Sequence, residues 1–332
     1  MWLRTVFENA ALCRAASQAG ETRPPSVVYS LRPMYMNAAR CLAKQWDACL
    51  VNRIYGTLLY QELTGGRRER PFVEHLVERK GWQREADATI ITNDGTNGDK
   101  VADLLGVPKD RYYLWFNGIN KTNTVTSEAA VSFRSGIGLS RENFVLLCLS
   151  RLERWKRQDR VIRSLAHVIR EVPRARLIIA GDGRRRASLE EMAARLNLTA
   201  YVTFVGAVPH SEVSTVMTAA DVFLQTNNYS NLGNTLLEAM ACGRPIVTWD
   251  AGATSQVIQD YQTGRLLPDP EPETIARAVI ELATDPALSR RLGENARRFA
   301  EERLPSWEQR VQLETELIET LCARRNRAET SR

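Results

Sequence analysis

Histidine is nearly absent: His75, His167 and His210 are the only three in 332 residues. They fall in a charged helical stretch, an amphipathic helical stretch and a turn after Pro209, so a zinc or iron centre lacks ligands at workable spacing. No histidine is assigned to catalysis. The six cysteines, at 13, 41, 49, 148, 242 and 322, form no Cys-x-x-Cys pair. Scattered thiols of this kind read as free and buried in a reducing compartment. No apolar run approaches transmembrane length. The first twenty residues carry an acid within their apolar part and no clean cleavage site, which argues against a secretory signal and for a cytoplasmic chain. The turn Gly181-Asp182-Gly183 falls short of the dinucleotide fingerprint, which excludes a nicotinamide dehydrogenase. No basic stripe accompanies a nucleic-acid-reading module, so nucleic acid is not an expected partner.

Charge is abundant but mixed. Forty-five basic residues face 39 acidic ones, a formal excess of +6, and stretches such as RRRASLEEMAAR read as solvated helix faces. Arg67, Arg68, Arg70, Arg79 and Lys80 fall in the basic stretch TGGRRERPFVEHLVERKGW, which reads as an exposed loop and helix. They prompt the expectation of peripheral contact with an anionic membrane face.

Ten short, β-rich apolar runs punctuate the chain. Four lie in the first part: SVVYS, ACLVNRIYG, ATIITNDG and YYLWFNG. Six follow: FVLLCLS, RLIIAG, YVTFVG, DVFLQT, PIVTWD and GRLLP. Continuous apolar strands alternating with amphipathic helices predict an α/β chain of parallel sheets covered on both faces. The polar segment from Asn117 to about Leu139 marks a boundary. The expected domains are 1–125 and 126–305, followed by a helix over 306–322 and a frayed tail over 323–332.

In open α/β sheets, ligands bind beyond the carboxyl ends of strands. Arg151 and Lys156 follow FVLLCLS and could hold a diphosphate, one as a fork of donors and one as a point charge. Gly183 follows RLIIAG, and Gly206 and Val208 close YVTFVGAV, where backbone groups could meet a ligand. After DVFLQT, the residues Ser230, Asn231, Leu232, Gly233 and Asn234 lead into the helix former TLLEAMA. Amides at a helix start favour phosphate, and Glu238, further in, could accept both hydroxyls of a ribose.

Taken together, SRLERWK, LIIAGDG, VTFVGAVP, LLEAMACGRPIVT and YQTGRLLP resemble the family 4 glycosyltransferases of GT-B fold. ATIITNDGT and FNGIN resemble the end of that family's N-terminal domain. The resemblance implies two Rossmann-like doubly wound domains and retaining transfer of a sugar from a nucleotide-diphosphate donor to a glycan or lipid-linked acceptor. It implies no metal and no cofactor beyond the donor, which agrees with the lack of any Asp-x-Asp pair. Arg151, Lys156 and Glu238 carry the catalytic assignment. Ser230, Asn231, Leu232, Gly233, Asn234, Gly183, Gly206 and Val208 line the donor, and Tyr55, Gly56, Asp94 and Asn117 form the acceptor side. Two departures stand out. Ser230 occupies the place of the family's first glutamate, eight residues before Glu238. PPSVVYS resembles a strand midway through the N-terminal domain, so that domain is expected to be incomplete. A non-catalytic nucleotide-sugar-binding protein, or a truncated inactive transferase, is the alternative.

Overall fold

The computed structural model describes residues 10–18, 24–66, 68, 71–121, 125–230 and 232–330. It divides into two compact units. One runs to Asn117 and includes the final helix from Trp307; the other is Gly118–Ser306.

All ten apolar runs are strands. In the second unit β5 (Phe144–Leu149), β6 (Ala175–Ala180), β7 (Val202–Gly206), β8 (Val222–Gln225), β9 (Ile246–Trp249) and β10 (Arg265–Leu267) form one sheet. Its order is β10-β9-β8-β5-β6-β7, and every pairing is parallel. Every residue of β5 is buried, because helices cover both faces and leave no side for water. The helix Gln158–Glu171 presents Val161, Ile162, Leu165 and Val168 to this core, and Pro272–Thr284 packs against it through Ile275, Val279 and Leu282. Full burial of such side chains contributes roughly 1.5–3 kcal/mol each.

The order fixes where a ligand fits. The chain fills the sheet outward from β5 through β6 and β7, then returns to β8 on the other side of β5. The loops after β5 and β8 therefore diverge to opposite faces and open a crevice at their carboxyl ends.

In the first unit β1 (Val27–Ser30), β2 (Cys49–Ile54), β3 (Ala88–Thr92) and β4 (Tyr112–Trp115) make a four-stranded parallel sheet in sequence order. The final helix, Trp307–Thr330, docks on it through buried charge. Glu314 accepts from Arg310 (2.5 Å) and from Tyr29 Oη (2.8 Å), and Arg53 lies 3.4 Å away. Arg310 also donates to Phe116 O and stacks on Trp115.

Two expectations change here. The segment 323–330 continues the helix instead of fraying, and Arg325 within it pairs with Asp47. The stretch around residues 64–82 is not the exposed loop and helix expected throughout: the helix Phe72–Trp82 buries His75 and Trp82, and His75 pairs with the shielded side chain of Glu62. Arg67 and Arg70 lie outside the described residues, while Arg68 rests on the Phe72 ring. Among the described residues, no helix is long and apolar enough to cross a membrane.

Candidate functional site

The loop leaving β5 carries several positive groups, and the structure sorts them. Arg157 adopts a left-handed backbone (φ 55°) and turns its guanidinium onto Asp159 at 3.0 Å, with Asn228 Oδ1 at 3.3 Å. Arg185 meets the same Asp159 at 3.3 Å. Burial pushes the Asp159 carboxyl up, but the hydrogen bonds and charge of Arg157, and then Arg185, hold it below the ordinary carboxylate range. Arg160 donates to Thr226 O (2.9 Å), and Arg186 pairs with Glu190. Arg151 is exposed and has no side-chain partner among the described residues. Lys156 is half-buried, with its ammonium 4.0 Å from the centre of the Trp155 ring.

The β5 and β8 loops are laced together. Asn228 N donates to Trp155 O (2.9 Å), and Thr226 Oγ1 to Arg157 O (3.1 Å). Trp249 Nε1 donates to Asn227 O (2.8 Å), while Asn227 Nδ2 donates to Ser230 O (2.8 Å). Fully buried Gln158 ties the exit of β5 by donating to Ser150 Oγ and Arg151 O, both at 2.9 Å. These bonds hold the segment bearing Arg151 and Lys156 against the loop that ends at Gly233.

Gly233 opens the helix Asn234–Ala241. Leu236 N donates back to Gly233 O (3.0 Å), and Gly233 gives the helix start no side-chain cap. Its φ of −69° suits any residue, and a Cβ there would meet no heavy atom within 4 Å. Nothing among the described residues therefore requires glycine at 233. Leu232 and Ser230 are buried, Asn234 is exposed, and Asn231 lies outside the described residues.

Gly183 has a different reason to be glycine. A Cβ there would lie 2.6 Å from Leu152 O, and one at Gly181, whose φ is +126°, would lie 2.0 Å from Ser150 O. Leu152 N donates to Asp182 O and Arg185 N to Leu152 O, so this turn braces the β5 loop. Gly181→Ala is accordingly expected to destabilise the chain by roughly 2–5 kcal/mol, from overpacking and left-handed strain. Denaturant unfolding checks it; a loss below about 0.5 kcal/mol, the ordinary surface scatter, would contradict the bracing role.

Glu238 is mostly shielded, with 17% of its side chain exposed, and His210 Nδ1 lies 3.8 Å from it. Burial pushes the Glu238 carboxyl up, and the His210 charge pulls it partly back. His210, which sequence reasoning passed over, sits beyond Gly206 and Val208 on the loop after β7. Its only signal was the step from Pro209 into a polar turn. Gly206 O accepts from Gly181 N (2.6 Å), and Val208 is half-buried.

In the first unit, Tyr55, Gly56, Asp94 and Asn117 all follow strand carboxyl ends. A Cβ at Gly56 would lie 2.3 Å from Asp94 Oδ2, and Asp94 accepts from Thr96 N and Oγ1. Tyr55 is exposed and lies against Arg53. No cluster of three His, Cys, Asp or Glu able to hold a metal occurs among the described residues.

Two parallel Rossmann-like sheets, the second with its crevice between β5 and β8, define the GT-B fold class. Residues 132–299 match the family described as glycosyl transferases group 1, and the chain belongs to that family. It is 32% identical over 205 residues to a GDP-mannose-dependent alpha-(1-6)-phosphatidylinositol monomannoside mannosyltransferase of Mycolicibacterium smegmatis, covering 60% of this chain and 52% of that protein. It is 28% identical over 222 residues to an uncharacterised glycosyltransferase of Methanocaldococcus jannaschii, covering 66% and 56% respectively. The chain thus spans about half the length of these curated relatives. In fold it resembles Anabaena HepE, solved in complex with UDP and glucose. That match has a TM-score of 0.75 at 19% identity, over 98% of this chain and 81% of HepE.

Proposed function

We propose that the protein is a retaining, family 4-like glycosyltransferase that moves a hexosyl group from a nucleotide-diphosphate donor to a carbohydrate or lipid-linked acceptor. The observation that carries this reading is the lacing of the Arg151–Lys156 segment to the loop ending at Gly233. In this reading the lacing brings two cations and a helix start to the crevice, where a diphosphate would sit. GDP-mannose, on which the Mycolicibacterium relative depends, and UDP, in complex with HepE, fit the same chemistry.

In this reading Glu238 accepts from the ribose hydroxyls. The bond between the anomeric carbon and the diphosphate breaks, and its electron pair goes to the phosphate oxygen. Lys156, Arg151 and the amides after Gly233 stabilise that charge. The acceptor oxygen bonds to the anomeric carbon on the face the phosphate leaves, and its proton passes to the departing phosphate oxygen. No metal, no other cofactor and no protein base takes part. Ser230 offers a hydroxyl where a second carboxylate would add negative charge beside the donor. Leu232, Asn234, Gly206 and Val208 complete the donor surroundings, and Tyr55, Gly56, Asp94 and Asn117 face the acceptor. The work is cytoplasmic, with the 67–80 segment touching an anionic membrane face.

Incubation with a panel of nucleotide-diphosphate sugars, read as free nucleotide released and as anomeric configuration of the product by NMR, tests this. Release with retention supports it. Inverted product would contradict the retaining assignment, and tight binding without release across acceptors would mark a non-catalytic nucleotide-sugar binder.

A pH dependence follows from Glu238. Its raised pKa means that its contribution to stability is fully present below the unfolded-state carboxylate value and is lost as pH rises through the folded value. Ribose hydroxyls donate to the ionised form, so binding favours deprotonation. Nucleoside-diphosphate affinity should therefore weaken as pH falls through a point above the ordinary carboxylate range. Glu238→Gln should lower the affinity and remove that component. Identical pH profiles for wild type and Glu238→Gln would contradict the ribose contact.

A further inference from the structure

The crevice leaves a second cationic cavity unexplained. It measures about 500 Å³ and is lined by Arg174, Arg244, Arg290 and Arg297, with Asp221 and Glu294. Phe144, Arg174, Asp221 and Pro245, which also line it, lead into or begin β5, β6, β8 and β9. The cavity therefore opens at the amino edge of the sheet, opposite the strand ends that bear Lys156 and Gly233.

Its floor is a fixed cation. Arg244 donates to Cys242 O (3.1 Å), Ala220 O (2.9 Å) and Thr218 O (3.5 Å), all backbone carbonyls. Burial presses its guanidinium down from the ordinary arginine range, and Cys242 and Asp221 only partly offset this. The nearest acid is already committed: Asp221 pairs with Arg134 at 3.0 Å and accepts from Val145 N at 2.6 Å. Arg174 contacts only Glu142 O and the Phe144 ring, and Arg290 has no carboxylate partner among the described residues. Arg297 pairs outward with exposed Glu301. Arg174, Arg244, Arg290 and Arg297 thus line a cavity whose lining acids are Asp221, already committed to Arg134, and Glu294.

We infer that this cavity is a second anion site, taking a small phosphate-bearing molecule remote from the diphosphate crevice. Guanidinium forks match phosphate oxygens in pairs, and the volume falls within the range of small-ligand pockets.

Calorimetric titration of inorganic pyrophosphate at fixed ionic strength tests it with three proteins: wild type, Lys156→Ala and the double variant Arg290→Ala/Arg297→Ala. The double variant keeps Arg244 and its backbone anchors, so the fold is preserved. Wild type should show two binding events. Lys156→Ala should retain one of them, and the double variant should lose that one by at least ~10-fold while keeping nucleoside-diphosphate affinity. A parallel arm replaces pyrophosphate with anionic phospholipid vesicles. Binding that depends on Arg290 and Arg297 supports the site in either arm, and the arm that responds names the source, free phosphate or lipid headgroup. Binding unchanged in the double variant, or wholly abolished by Lys156→Ala alone, would overturn the inference. Because the arms use separate variants, failure here leaves the transferase reading untouched.

Discussion

Lys156→Ala is expected to reduce sugar-nucleotide turnover by ~10²–10³-fold, the usual effect of removing one preorganised group that meets charge developing on a leaving oxygen. The expectation rests on placement. Arg157, Arg160 and Arg185 are all engaged with Asp159 or with the β8 loop, so they cannot swing in to replace a lost ammonium. Lys156 stacks on Trp155, whose carbonyl is itself held by Asn228, so its position is fixed before a donor arrives. Lys156→Arg tests the distinction between charge and shape: it restores charge on a longer, planar group and should recover part of the loss. Stability should scarcely change in either variant. Unfolding curves that match wild type beside a collapsed turnover are the expected pair of results; unaltered turnover in Lys156→Ala would remove the assignment.

Glu314→Ala should destabilise the first unit by about 3–5 kcal/mol, because it leaves buried charges without their partner. Arg310 is 3% exposed and Arg53 is 5% exposed, and both lean on this single carboxylate. Tyr29 loses its acceptor as well. Removing Arg310 as well, in Glu314→Leu/Arg310→Met, should cost less than the single change, since one buried charge, Arg53, is then left without the carboxylate instead of two. Denaturant unfolding monitored through the tryptophans distinguishes the two. Equal or greater loss in the double variant would show that helix packing, rather than unpaired charge, dominates the docking.

The strands were legible because a sheet covered on both faces forces unbroken apolar runs, and FVLLCLS or RLIIAG can be little else. The partners of the charged residues were not. SRLERWKRQDR reads as a solvated mixture, and only the fold reveals that Asp159 gathers Arg157 and Arg185 while Arg151 has no side-chain partner among the described residues. The bond from Asn228 to Trp155 joins loops distant in sequence, and no local pattern encodes it. Gly183 and Gly233 look alike as letters, yet one is required by the carbonyl of Leu152 and the other by nothing in the described chain. The step from Pro209 into a polar turn gives no partner for His210; its approach to Glu238 depends on the path of the β7 loop. Within the final helix, which extends to Thr330, Arg325 finds Asp47, a pairing set by tertiary structure alone.

Calorimetric titration of nucleoside diphosphates into wild type and Lys156→Ala tests the diphosphate crevice most directly. Wild type should bind at least one of them as a specific ligand, and the variant should lose affinity by at least ~10-fold, about 1.4 kcal/mol or more. Equal affinity in the two proteins, or no binding to wild type by any nucleoside diphosphate, would contradict the account.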